Sequence, residues 1–302
     1  MITQSNLSRV ICCHHFHMED LMTQNRAHNA ELLSKIMDND CQLPTGTNPL
    51  AFCLALVENF RSTDARLRDR LSYSLLARLL TEYHFLSVED RQTLLKVALD
   101  DQHLFYRIGE SGTDSVFIRG FSILVVPLIL DPDIEHQQLS ADLVHDTIRS
   151  VLSYAREERD RRGYIDGKGW AHTIAHAADA LDSCAQHPFS TEMERLEVLH
   201  CVADLASVSN PIYFQEDDRL AFTASRIIKK GWVTADALED WMNRFIKPEG
   251  PEPDDTIRLT NLEHFLRSLY FLLKWKQVDS GLIEKIDERL RALSWYVQAN
   301  VL

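Results

Sequence analysis

At 302 residues the chain is long enough for one large domain or two ordinary ones. Hydrophobic residues make up 45% and charged residues 25%, while ten glycines and nine prolines are too few for a loop-rich sandwich or barrel and point to long helices. A formal charge of −13 disfavours nucleic acid, whose binders carry a basic face, and disfavours anionic membrane surfaces.

No run of 18 uncharged apolar residues occurs, and the longest apolar stretch, Gly120–Leu130, is too short to span a bilayer. The first twenty residues lack a basic region ahead of a long apolar core, the layout of a secretory signal. The six cysteines, at 12, 13, 41, 53, 184 and 201, show no CxxC spacing. Reduced thiols in a cytoplasmic protein are the expectation.

Residues 1–17 read as a disordered leader, and 18–302 as a single helical-repeat domain. Cys12, Cys13, His14, His15 and His17 form a short metal-friendly cluster within that leader. The first helical pattern is Glu19–Met37, ending before Pro44 and Gly46. Asn48-Pro49 caps and opens a helix to about Phe60. Asp64 caps the next, in which Leu67, Leu71, Leu75, Leu76 and Leu79 recur at helical spacing. Ser87 with Asp90 forms a capping box for Val88–Leu99. Ser115–Leu130 is strongly apolar, with Pro127 bending or ending it. Phe121–Leu130 also suits a buried strand, but no partner strand is in sight. Ser140 opens a helix to about Asp160.

The most distinctive stretch follows. Gly163, Gly167 and Gly169 form a turn that runs into a helix predicted over Trp170–Gln186. At ~100° per residue, His172, His176, Asp179 and Ser183 share one narrow polar stripe, with Trp170, Ile174, Ala177, Ala178 and Leu181 opposite. Histidines at i and i+4 can converge on a divalent ion, with Asp179 as a third ligand or as a tautomer-fixing acceptor. The glutamate of an HExxH helix is missing, since Thr173 stands after His172. Structural hydrogen bonding or ligand contact explains the same residues. Free amides at the head of this helix suit an anion, but no GxxxxGK[ST] is present. A tight turn capped by Asp166 or Gly169 is the plainer account, and Lys168 is either an anion contact or solvated charge.

Thr191–Val208 ends at Asn210-Pro211. Asp217–Lys230 stops at Gly231, with Lys229 and Lys230 complementing the helix dipole. Thr234–Phe245 precedes the polar linker 247–255, and helices over about Leu259–Lys276 and Ser280–Val301 close the chain. Arg119 within FIRGFS is either on an exposed stripe or inward, paired with Asp179, Glu216 or Asp217. Glu216 and Asp217 are either dipole complements or acids facing the histidine helix.

The segment RGYIDGKGWAHTIAHAADALDSCAQHP, Arg162–Pro188, resembles the hallmark of a bacterial family catalogued as domain of unknown function 2785. Gln42–Pro44, Phe117–Ser122, Tyr213–Ala221 and Leu266–Lys274 are similar to it too, so the resemblance covers Met18 to Trp295. It implies one all-helical, HEAT-like domain in a bacterial cytoplasm, and no activity. Its family-like positions here are Arg119, Gly167, Gly169, Trp170, His172, His176, Asp179, Glu216, Asp217 and Arg219. Gly120 departs from it, where a small polar residue is expected.

The expectation is therefore an all-α array of about a dozen antiparallel helices, an α-solenoid of HEAT-like kind. Its concave face, around Arg119, Gly167, Gly169, Trp170, His172, His176, Asp179, Glu216 and Asp217, binds a partner protein or a polar or anionic small ligand. No cofactor is expected. The alternative is a hydrolase that uses His172, His176 and Asp179 as a metal or acid–base site. A helical-repeat nucleic-acid binder is a third reading, against which the −13 charge weighs.

Overall fold

The computed structural model describes residues 29–83, 85–278 and 280–299. The cysteine–histidine cluster of the leader lies outside them, as does most of the first predicted helix.

Local capping chemistry starts many of the helices. Helix α1 (Ala30–Asp38) opens at Asn29, whose side chain accepts from the amides of Glu31 and Leu32. Asn48 caps α2 (Pro49–Glu58), with proline at its first position. A π-helical segment, Arg66–Tyr73, runs into α3 (Ser74–Thr81). Ser87 and Asp90 close a reciprocal capping box on α4 (Val88–Ala98).

Helices α5 (Ser115–Ser122) and α6 (Val125–His136) are one apolar run broken at Ile123-Leu124. The break lies ahead of Pro127, which sits in the first turn of α6, where a missing amide costs no helical hydrogen bond. Phe121–Leu130 is thus helical, not a strand. Ser115–His136 has the length and hydropathy of a membrane-crossing helix, yet 72% of its most apolar 18 residues are buried inside the protein. Its apolar character is accounted for by core packing.

Ser140 caps α7 (Ala141–Glu157), which is followed by a two-stranded hairpin, β1 (Tyr164–Ile165) and β2 (Gly169–Trp170). Then come α8 (Thr173–Gln186), α9 (Glu192–Ala206, with a Thr191–Glu194 capping box) and α10 (Glu216–Lys230), which ends at left-handed Gly231. Helices α11 (Ala235–Met242), α12 (Asp254–Trp275), α13 (Ser280–Leu293) and α14 (Trp295–Gln298) complete the order. Helix α12 begins at Asp254, earlier than the predicted Leu259, with Asp254 and Asp255 in its first turn. The protein is all-α, and the hairpin is its one sheet among the described residues.

Helix α8 is the hub. It packs against α5, α6, α7, α9 and α10, and α10 in turn packs against α12. Small residues permit this crowding: Ala175, Ala177, Ala178, Ala180 and Ala185 are wholly buried, so neighbouring backbones approach closely. Of its residues only Asp179 is not buried. The described cysteines, at 41, 53, 184 and 201, are buried free thiols.

Candidate functional site

The glycine hairpin is fastened before α8 begins. Arg68, fully buried in the π-helical segment, donates to Ser62 O (2.6 Å), Lys168 O (2.7 Å) and Trp170 O (3.1 Å). Its guanidinium also lies 3.9 Å from the Phe117 ring centroid. Gly169 makes this contact feasible: its φ is +82°, and a Cβ there would stand 2.6 Å from Ala65 Cβ. The turn therefore offers carbonyls to a cation, not amides to an anion. Lys168 is paired with Asp114 at 2.7 Å, and Gly167 sits at the exposed tip. Gly167 and Gly169 are not among the residues that line the cleft beside this hairpin.

Helix α8 starts three residues later than its sequence pattern predicts. Ala171 N and His172 N donate to Gly163 O, holding the chain in hairpin geometry through Ala171. His172 then turns into the left-handed region, φ 52°, as the residue that precedes the helix. The single helical stripe predicted for His172, His176 and Asp179 is thereby corrected. Trp170, predicted on the opposite face, stacks on His172 with ring centroids 4.5 Å apart and planes 19° apart.

These residues meet in a cleft of about 610 Å³ lined by Trp170, His172, His176 and Asp179 from the hairpin and α8. Tyr213, Phe214, Gln215 and Arg219 face them from the head of α10, and Asp69 and Tyr73 enter from the π-helical segment. Phe214 stands edge-on to Trp170 at 5.0 Å. Gln215, like His172, is a non-glycine residue with a positive φ, +66°, at the start of its helix. Two left-handed helix starts at one cleft are a local cost of about 1–2 kcal/mol each, the kind of strain that gathers at functional sites.

The two histidines differ. His176 is buried, and its Nδ1–H donates to Gly120 O at 2.7 Å. Gly120 is needed there, because a Cβ would lie 2.7 Å from Ala171 O. Burial above all, then the neighbouring His172, pushes the His176 pKa down to about 3. Its ring is therefore neutral, with the proton on Nδ1, and no described residue hydrogen-bonds its Nε2. Nε2 of His172 lies 3.4 Å from Glu216 Oε1 without an aligned hydrogen bond. Burial raises the Glu216 pKa, but His172 and the amide of Phe214 outweigh it and hold that carboxylate ionised.

Asp179 is paired with Arg219. His176 is held by Gly120 O, Asp179 by Arg219, and His172 lies beside Glu216. Among the described residues no three His, Cys, Asp or Glu side chains are grouped to hold a metal ion.

Arg119 is placed elsewhere. It is inward and fully buried, but its partner is Glu158, bound through Nε (2.5 Å) and Nη2 (3.0 Å), not Asp179, Glu216 or Asp217. It also donates to Tyr106 O, Arg107 O and Glu110 O. Glu158 accepts from Asp160 N, Asp160 binds Arg162, and Thr173 Oγ1 donates to Asp160 O. Arg119 thus braces the loop that carries the hairpin, away from the cleft. Asp217 accepts from Ser268 at 3.1 Å, on the α12 side of α10.

The sequence reading missed Asp69, Tyr73, Tyr213, Phe214 and Gln215 as lining residues, and assigned Arg219 no ligand role. Arg219 and Arg226, seven apart on α10, pair with Asp179 and Asp182, three apart on α8. The opposite charges of the two helices were a usable signal. The π-helical entry of Asp69 and Tyr73 left none.

A family model described as "Protein of unknown function (DUF2785)" matches residues 104–271. No curated protein and no solved structure matches the chain. Spanning more than half of the sequence and the whole hairpin–α8–α10 site, the match places this chain in the DUF2785 family.

Proposed function

We propose that the chain is a helical-repeat protein of HEAT-like order whose cleft at the head of α8 binds a small polar ligand with a flat portion. The succession of neighbours α7–α8, α8–α10 and α10–α12 supports the repeat order. The observation that carries the binding reading is His176. Its ring lines an aromatic-walled cleft, its tautomer is fixed by Gly120 O, and its Nε2 acceptor has no hydrogen-bond partner among the described residues. A ligand N–H or O–H satisfies that acceptor, while Tyr213 and Phe214 supply exposed ring surface. With Arg68 and Lys168 engaged by hairpin carbonyls and Asp114, the glycine turn lends no support to an anion.

A calorimetric screen of small polar metabolites tests this reading. Hits are expected to lose about tenfold or more in affinity (1.4 kcal/mol) in Trp170→Ala and in His176→Asn, which keeps a donor toward Gly120 O but removes the Nε2 acceptor. Hits that bind both variants as tightly as the wild type would refute it.

The Glu216–His172 contact favours a second reading, acid–base hydrolysis. In it His172 carries the proton and Glu216 orients the ring, because Asp179 is committed to Arg219. His176, with its pKa near 3, is too weak a base for that role near neutrality. Turnover of p-nitrophenyl acetate that disappears in His172→Gln supports hydrolysis, whereas turnover equal to buffer rejects it.

A further inference from the structure

A second chamber of about 950 Å³ adjoins the first, and the Asp179–Arg219 pair faces both. Its walls come from α6, α8, α10 and α12. Four carboxylates line it, Asp131, Asp179, Asp182 and Asp218, against three guanidiniums, Arg219, Arg226 and Arg267. Each guanidinium already has an acid: Arg219 has Asp179, Arg226 has Asp182, and Arg267 has Glu263. The surplus charge is therefore negative. Asp131 forms no salt bridge among the described residues, though Ser183 and the charge of Arg226 act on its carboxylate.

Asp182 is nine-tenths buried and lines the chamber; its Oδ2 pairs with Arg226, while its Oδ1, shielded from solvent, has no hydrogen-bond partner among the described residues. Burial, only partly offset by Arg226, and repulsion from Asp131 push its pKa up to about 6. Three exposed aromatic residues, Phe222, Phe271 and Trp275, also line the chamber. The face of Phe222 already attracts cations of this chain, with Lys276 Nζ 4.6 Å and the Arg226 guanidinium 5.5 Å from its centroid.

We propose that this chamber binds a small organic cation, an amine whose ammonium sits between the Asp131 and Asp182 carboxylates and whose apolar body lies along Phe222, Phe271 and Trp275. The ammonium hydrogen-bonds the Asp131 carboxylate and neutralises the surplus negative charge. The aromatic rims take the carbon chain out of water. An anion of the same shape meets the opposite field and is excluded.

Isothermal titration with hexylammonium and hexanoate, which share a carbon chain and differ in charge, tests the proposal. Hexylammonium is expected to bind in the micromolar-to-millimolar range and hexanoate not at all. The double variant Asp131→Asn with Asp182→Asn is expected to weaken hexylammonium about tenfold or more. Phe271→Ala, at an exposed position, is expected to weaken it severalfold and serves if the double variant misfolds. The proposal is overturned by equal binding of hexanoate, by the absence of hexylammonium binding, or by unchanged affinity in either folded variant. Trp170 and His176 do not line this chamber, so failure here leaves the first-chamber reading intact, and the reverse holds.

Discussion

Arg119→Met is expected to destabilise the protein by about 3–5 kcal/mol, because it strands a buried carboxylate. Both members of the Arg119–Glu158 pair are fully buried. Removing the guanidinium leaves Glu158 with the Asp160 amide, and it leaves the carbonyls of Tyr106 and Glu110 without their donor. The pair itself is not a large net gain, since desolvating two ions offsets most of their attraction. Arg119→Met combined with Glu158→Leu is therefore expected to recover much of the single-variant loss, a non-additivity that urea unfolding of all four chains reads directly. A loss below about 1 kcal/mol in the single variant would show that the buried charge finds water or a proton instead. Because the network continues through Asp160 to Thr173, the variant is also expected to loosen the hairpin.

The second large effect is acid sensitivity at His176. Its folded pKa of about 3 lies below its ordinary 6.5, so the unfolded chain takes up the proton first. The stability contributed is present above pH 6.5 and drains away as the pH falls toward 3. Between pH 7 and pH 5 this one residue removes about 2 kcal/mol. Asp182 works in the opposite sense: its raised pKa makes the folded chain the better proton acceptor, so stability is gained as the pH falls through about 6. The wild-type curve is thus a difference of opposing slopes, and comparison with His176→Asn isolates the histidine. Urea midpoints at pH 7 and 5 are expected to converge on that variant by the stated amount. Parallel curves for the two proteins would mean that the imidazole titrates normally and is reached by solvent.

Much of the helical order was legible because it is written locally. Asn48, the Ser87–Asp90 box, Ser140 and Gly231 act within four residues of themselves, and each does what its position implies. The site was legible only as a segment. Trp170, His172, His176 and Asp179 do share a cleft, but the reason lies in tertiary hydrogen bonds that no periodicity encodes. Two amides bound to Gly163 O delay the helix and rotate Trp170 onto the same side as His172. Arg119 shows the same limit. Its need for an acid followed from the apolar residues around it, but choosing Glu158 among 45 acidic residues required the loop after α7 to fold back. The π-helical segment that brings Asp69 and Tyr73 to the cleft reads in sequence as an ordinary turn of helix.

The reach of Arg68 bears on where this protein can be cut. The family match begins at residue 104, whereas the clamp on Lys168 O and Trp170 O comes from residue 68, and Asp69 and Tyr73 form one wall of the cleft. A chain shortened to the matched stretch would keep every hallmark residue and lose the anchor that shapes the hairpin beneath them. The unit that sequence comparison picks out and the unit that must fold together have different edges, and the π-helical segment belongs to the second.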